Sequence, residues 1–200
     1  MQVTRLVNTF YTSNTYVLWC ANCPYVWLVD CGDYASQVRP LLGSRYVRGV
    51  LLTHTHADHI YGLEEVLADF PDVSIYTSEF GCMALGDSRL HLSRYHTEVP
   101  RLELDGRDDV ITVVEGADLE LFEGVWCRVL STPGHDRSCL SYLIGKYLFT
   151  GDSFIPGIKV KASFPNSNKV DAEASCKRLE TISKDYTVCP GHGNYLNTMI

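Results

Sequence analysis

Apolar and polar positions alternate from the first residues. Gln2 to Thr9, Thr15 to Trp19 and Tyr25 to Val29 carry β-branched and aromatic residues at strand spacing, separated by the polar turn residues Ser13-Asn14 and Asn22. They predict a meander of three strands. A short helix is expected from Ala35 to Leu42, and the apolar run Val47 to Thr53 reads as a strand that stops where a group of histidines begins. From Asp58 to Phe70 the residues Ile60, Leu63, Val66, Leu67 and Phe70 recur at helical spacing until Pro71 ends the segment. Val73 to Tyr76 predicts a short strand, and Ser78 is placed to cap a helix running to Leu85. Gly86 to Pro100 shows no clear period.

The second half repeats this grammar. Strands are expected at Val110 to Val114, Leu119 to Phe122, Trp126 to Ser131, Cys139 to Ile144 and Tyr147 to Thr150, then a helix near Ala172 to Ile182 and a last strand at Tyr186 to Cys189. Two β-rich halves, each with helices, predict an α+β arrangement of two sheets packed face to face with helices outside. With no linker, low-complexity segment or clean repeat, residues 1 to 200 read as a single domain.

Composition narrows the function. An apolar fraction of 46% with 20% charged residues is that of a globular fold. No apolar run approaches the roughly 18 residues that span a bilayer, and the N-terminus lacks the apolar core of a signal peptide, so no membrane partner and a cytoplasmic location are expected. A net charge of −7 without a run of Lys or Arg argues against nucleic acid and leaves a small molecule as the expected partner. The eight cysteines lie mostly isolated in apolar stretches, as free thiols do. Cys20-Ala21-Asn22-Cys23 falls where a hairpin turn is expected and lacks a second Cys-x-x-Cys, which favours a turn over a zinc knuckle.

The chemistry concentrates in the run His54-Thr55-His56-Ala57-Asp58-His59, where a strand gives way to a helix. Three further sites end a strand in a glycine turn that carries a ligand type: Thr132-Pro133-Gly134-His135, Thr150-Gly151-Asp152 and Pro190-Gly191-His192-Gly193. Of the seven histidines, only His91 and His96 fall outside these motifs. Imidazole and carboxylate together suit zinc, iron or manganese, and the spacing lets His54 and His56 face one ion while Asp58 and His59 face another.

Val29-Asp30-Cys31-Gly32, the His-x-His-x-Asp-His run and the turns at His135, Asp152 and His192 follow one another in an order that resembles the metallo-β-lactamase-fold hydrolases, and among them the glyoxalase II-like thioesterase branch, over nearly the whole chain. The resemblance implies a four-layer αββα sandwich of two mixed sheets and two divalent metal ions, zinc first, with iron or manganese as alternatives. By the same resemblance His54, His56 and His135 hold one ion, Asp58, His59 and His192 the other, Asp152 bridges both, and Asp30 orients the site. Two ions about 3.5–4 Å apart bring a shared water close to ionisation at neutral pH, so that a bridging hydroxide attacks the substrate. Asp58 and Asp152 are then the catalytic carboxylates, Asp58 as a proton carrier to the leaving group.

The expected reaction is hydrolysis of a small ester, most simply a thioester, with lactones and phosphodiesters as alternatives. Two departures from glyoxalase II set glutathione thioesters apart from this expectation. The chain runs only eight residues past His192, without the helical region that binds the glutathione moiety, and no Gly-Arg accompanies Asp152. A mononuclear iron persulfide dioxygenase using His54, His135 and Asp152 is the alternative from another class, although Pro190-Gly191-His192-Gly193 differs from the Ala-His-Asp of that branch. A metal-binding subunit without turnover is a third. Around the motifs, His91 and His96 are expected to be bystanders, and Tyr11, Tyr61, Phe154 and Ile155 core residues. Lys159, Lys161 and Lys169 form a solvated cluster near the metal mouth, from which one lysine could meet an anionic substrate group.

Overall fold

Each strand of the chain sends alternate side chains to opposite faces, and in the central strands of this protein both faces are buried. The computed structural model describes residues 1–99, 101–104 and 107–194. The first sheet contains β1 (Gln2–Val7), β2 (Asn14–Trp19), β3 (Tyr25–Val29), β4 (Tyr46–Leu51), β5 (Ser74–Thr77) and β6 (Val110–Thr112), in that spatial order. The pairs β1/β2 and β2/β3 are antiparallel, as the predicted meander requires, and the pairs from β3 to β6 are parallel. The second sheet contains β7 (Asp118–Phe122), β8 (Val125–Ser131), β9 (Leu140–Ile144), β10 (Tyr147–Gly151) and β11 (Thr187–Pro190), in the order β11-β10-β9-β8-β7, antiparallel except for β10/β11.

The period of two separates the layers. Leu18, Trp27, Val29 and Leu51 of the first sheet meet Val129, Tyr142 and Phe149 of the second in the central core. Trp27 buries its ring there while its Nε1–H donates to the Leu121 carbonyl at 2.8 Å. The neighbouring positions Val17, Leu28 and Val50 face outward, against Tyr34 and Val38 and against α3 (Leu63–Asp69) through Leu63 and Val66. On the far side Leu130 and Leu148 pack on Leu179 of α5 (Lys169–Ile182). The result is helix, sheet, sheet, helix.

The remaining helices are α1 (Arg39–Leu42), α2 (Ala57–Ile60) and α4 (Glu79–Leu85), with a single π-turn at Tyr34–Val38 preceding α1. Ser78 caps α4 as expected, accepting from the Gly81 N–H at 3.1 Å. The expected helix from Asp58 to Phe70 is instead two helices, α2 and α3, broken at Tyr61-Gly62. A Cβ at Gly62 would collide with the Gly32 carbonyl, and the Gly62 N–H donates to Cys31 at 3.0 Å, so the break serves a long-range backbone contact that local periodicity does not encode. Of the segment from Gly86 to Pro100, Pro100 lies outside the described residues.

This topology also gathers the motifs. β3 and β4 run parallel, so Asp30 and the His54 run emerge at one edge of the first sheet. β8, β10 and β11 share a direction, so His135, Asp152 and His192 emerge at one edge of the second. The two edges are tied together: the Leu140 N–H donates to Thr53 at 2.7 Å, the Tyr142 hydroxyl to Leu52 at 2.7 Å and the Tyr16 hydroxyl to Pro190 at 2.7 Å.

Candidate metal centre

The innermost fixture of this edge is Asp30. Its backbone adopts the left-handed region, with φ 58°, at a cost of about 1–2 kcal/mol for a residue with a Cβ. The buried carboxylate holds that conformation by accepting from Thr53 N–H and Thr53 Oγ1, both at 2.7 Å, and from His59 Nδ1 at 2.8 Å. With the His59 proton assigned to Nδ1, the lone pair is left on Nε2, which is buried and has no hydrogen-bond partner. Thr53 does the same for His54: its one hydroxyl proton goes to Asp30, so at 3.1 Å it accepts from His54 Nδ1 and leaves Nε2 bare. Asp30 therefore has the orienting place expected for it, and Thr53 joins it as a residue that the sequence reading did not single out.

On the second sheet, His135 Nδ1 donates to the Lys161 carbonyl at 2.8 Å, which leaves its Nε2 as an acceptor. That nitrogen lies 3.0 Å from His56 Nδ1, while His56 Nε2 faces Asp136 Oδ2 at 3.4 Å without hydrogen-bond alignment. Asp136 is itself held by the Ser138 N–H and hydroxyl, at 2.8 and 2.6 Å. Its signal in the sequence was its place next to His135.

Three sets of side chains bring one ligand atom each to within 4.8 Å of one another: His54, His56 and His135; His54, His59 and Asp152; and Asp58, His59 and His192. All seven candidate ligands thus meet at one place. Asp152 stands between the sets, with Oδ2 at 3.6 Å from His135 Nε2 and 3.4 Å from His192 Nε2, and Oδ1 at 3.7 Å from His59 Nε2. Asp58 Oδ2 lies 3.4 Å from His59 Nε2 and 3.3 Å from His192 Nε2. Such a close approach needs room: a Cβ at Gly191 would strike Asp152 Oδ1. Bare imidazole nitrogens and a buried carboxylate oxygen without a partner, converging in one cavity, fit divalent cations of the zinc or iron type.

The two halves differ in charge. Burial pushes His54 well below the ordinary imidazole range, and the surrounding histidines add to this; His135 is lowered by burial as well. His59 goes the other way: burial opposes protonation, but the Asp58 and Asp30 carboxylates lift it to about 9, so a cation at Nε2 competes with a proton for the same lone pair. His192 rises to about 10, with burial again opposed, by Asp152 and Asp58. Burial raises Asp152 as well, yet His192, His59 and His135 hold it well below the carboxylate range. In one half His54 and His135 favour the neutral form, while the other is a set of carboxylates that attract positive charge.

Above these groups lies a cavity of about 550 Å³, bordered by Tyr11, His96, Lys161, Phe164 and the candidate ligands His56, Asp58, His135, Asp152 and His192. Two expectations change here. Tyr11 is not core but 59% exposed and faces the cavity, and His96 borders it too, with Nδ1 3.4 Å from the Tyr11 hydroxyl. The β1–β2 turn and the 86–96 segment are carried over the site by tertiary contacts, which residue type alone does not reveal. His91 is a buried peg, with Nε2 2.7 Å from the Leu102 carbonyl. Tyr61 packs edge-on against Phe10, and Phe154 packs on the Leu130–Leu148–Leu179 cluster, as expected. Of the lysines, Lys161 borders the cavity with its ammonium 4.5 Å from the Phe164 ring centroid, whereas Lys159 and Lys169 line a separate groove along α5. Cys20 and Cys23 are free thiols in a turn closed by the Cys23 N–H to the Cys20 carbonyl at 3.2 Å.

Comparison with known proteins converges on the same fold. The family model described as the metallo-beta-lactamase superfamily matches residues 8–192. A Streptococcus pyogenes serotype M6 protein named a probable metallo-hydrolase is 29% identical, covering 96% of this chain and 84% of its own. A hydroxyacylglutathione hydrolase of Xylella fastidiosa strain 9a5c is 31% identical over 84% of this chain and 59% of its own, so this chain spans about three fifths of that relative. Among solved structures, a protein in a di-iron-bound form superposes with a TM-score of 0.80 at 23% identity, covering 98% of this chain and 94% of the other.

Proposed function

Because the chain belongs to the metallo-beta-lactamase superfamily and is a metallo-hydrolase of that superfamily, we propose that it hydrolyses a small thioester at a dinuclear centre. His54, His56 and His135 would hold one ion and Asp58, His59 and His192 the second, with Asp152 placed to serve both. The observation that carries this reading is the single Asp152 carboxylate, whose oxygens lie within 3.7 Å of ligand nitrogens from both sets. Bound there, the ions supply Lewis acidity and an activated water as nucleophile. Zinc is the first choice for the histidine-rich set, and the di-iron form of the structural relative makes iron the alternative.

The protein's own residues do the rest. Asp30 and Thr53 hold His59 and His54 in the tautomer that presents Nε2, and Asp136 and the Lys161 carbonyl orient His56 and His135. Asp58, at the cavity side of the site, carries a proton to the departing thiolate. The hydroxyacylglutathione hydrolase relatives favour a thioester over a lactone or a phosphodiester. The test is a panel of thioesters, lactones and phosphodiesters on metal-loaded protein with a chelator control. Chelator-sensitive thioester hydrolysis supports the proposal. One iron per chain with oxygen uptake on a persulfide supports the dioxygenase alternative instead.

A further inference from the structure

The turn between β2 and β3 carries Cys20 and Cys23, and no step of the metal chemistry uses them. β2 leaves the metal edge at Asn14 and β3 returns to it before Asp30, so the turn that joins them lies at the far end of the first sheet. Its backbone is closed by the Cys23 N–H, which donates to the Cys20 carbonyl at 3.2 Å. A four-residue turn closed in this way keeps its outer Cα atoms within about 7 Å of each other. A disulfide needs Cα atoms about 4.4–6.8 Å apart, so the turn holds the two cysteines at bridging range.

Their surroundings separate this pair from the other six thiols. Cys31, Cys127, Cys139 and Cys189 are buried, and burial pushes each thiol up, which makes them inert. Cys82 on α4 and Cys176 on α5 are half-buried. Cys20 and Cys23 are half-buried too, but Ala21 and Asn22 between them and Pro24 after them are exposed, so the turn is open to solutes. The two thiols also act on each other: burial, Cys20 and Glu123 push the Cys23 thiol up, and Tyr25 offsets this only in part. A disfavoured Cys23 thiolate suits the resolving step and leaves the first attack to Cys20.

We infer that Cys20 and Cys23 form a thiol–disulfide exchange site, distinct from the metal centre, whose ligand is a small-molecule disulfide, RSSR. The Cys20 thiolate attacks one sulfur of RSSR, forming a mixed disulfide and expelling RS⁻; the Cys23 thiolate then attacks the Cys20 sulfur, forming the Cys20–Cys23 bond and expelling the second RS⁻. Both protein thiols are oxidised, both sulfurs of RSSR are reduced, and the protons lost by the cysteines end on the two RSH products.

The test titrates the metal-loaded chain with oxidised glutathione, quenches with acid, labels the remaining thiols and maps the peptides by mass. The peptide holding Cys20 and Cys23 is expected to lose ~2 Da and both labels, to keep no glutathione, and to react at least ~10-fold faster than Cys82 or Cys176. Dithiothreitol should restore both labels. Cys20→Ser and Cys23→Ser should each stop at a glutathione adduct on the remaining cysteine, with metal content unchanged. A wild-type peptide that stays fully labelled, or that retains a glutathione adduct without closing the bridge, would overturn the inference. That measurement is made on the wild type and does not depend on either variant or on the thioesterase reading.

Discussion

Two neighbouring shells of polar residues at the same edge of the sandwich satisfy themselves in opposite ways. In the outer shell, Asp30, Thr53, Asn8, Ser13 and Ser138 exchange buried hydrogen bonds with one another, with Asp136 and with the backbone. In the inner shell, His54 Nε2, His59 Nε2 and Asp152 Oδ1 are buried and have no hydrogen-bond partner. An unpaired buried polar atom costs about 1–3 kcal/mol, so a fold that pairs Asp30, Thr53, Asn8, Ser13 and Ser138 and leaves the inner atoms open has reserved those atoms for another partner. The contrast teaches that the outer shell sets direction and the inner shell offers lone pairs.

Substitutions can break that contrast from either side. The largest effect is expected for Asp152→Asn: one carboxylate faces both ligand sets, so the variant should lose both ions in a metal assay and at least ~100-fold in rate. His56→Ala and His192→Ala come next, each removing a ligand from one set only; each should bring metal content down by about one ion and abolish most of the activity. Retention of both ions in either variant would contradict the assignment.

The outer shell should fail differently. In Asp30→Asn an amide replaces the carboxylate that accepts from Thr53 and His59, which should destabilise the metal-free protein by about 2–3 kcal/mol in denaturant unfolding and weaken metal affinity by about 10–100-fold, through misdirection of His59. The smallest effect is one of pH. Asp33, which accepts from Thr9 and Gln37 beside the hairpin, is raised by burial but lowered further by the Tyr61 hydroxyl and by these donors, so its carboxyl lies below the ordinary 3.8. A depressed folded-state pKa contributes stability that is present above 3.8 and lost as pH falls through the folded value. For so exposed a group the contribution is under about 1 kcal/mol. Acid unfolding of Asp33→Asn should lack that increment, and an unchanged acid limb would remove Asp33 from the account.

Much of this was legible in the residues. Strands such as β2 and β3 read as nearly continuous apolar runs because both faces are buried, β8 alternates because one face meets solvent, and the ligand turns announce themselves by glycine and histidine. What stayed hidden depends on distant contact. Gly62 breaks a periodic helix because the Gly32 backbone lies against it, and Tyr11 and His96 reach the cavity only once the hairpin and the 86–96 segment fold over it. Thr53 and Asp136 were adjacent to the motifs, but their roles follow from which histidine nitrogen they address, a matter of side-chain direction rather than spacing.

The central claim, that the inner lone pairs belong to a pair of cations, is tested most directly by elemental analysis of the purified chain after saturation with zinc or iron and removal of the excess. The account predicts close to two ions per chain, falling to near none in Asp152→Asn. A folded wild-type chain that retains no transition metal under those conditions would contradict it.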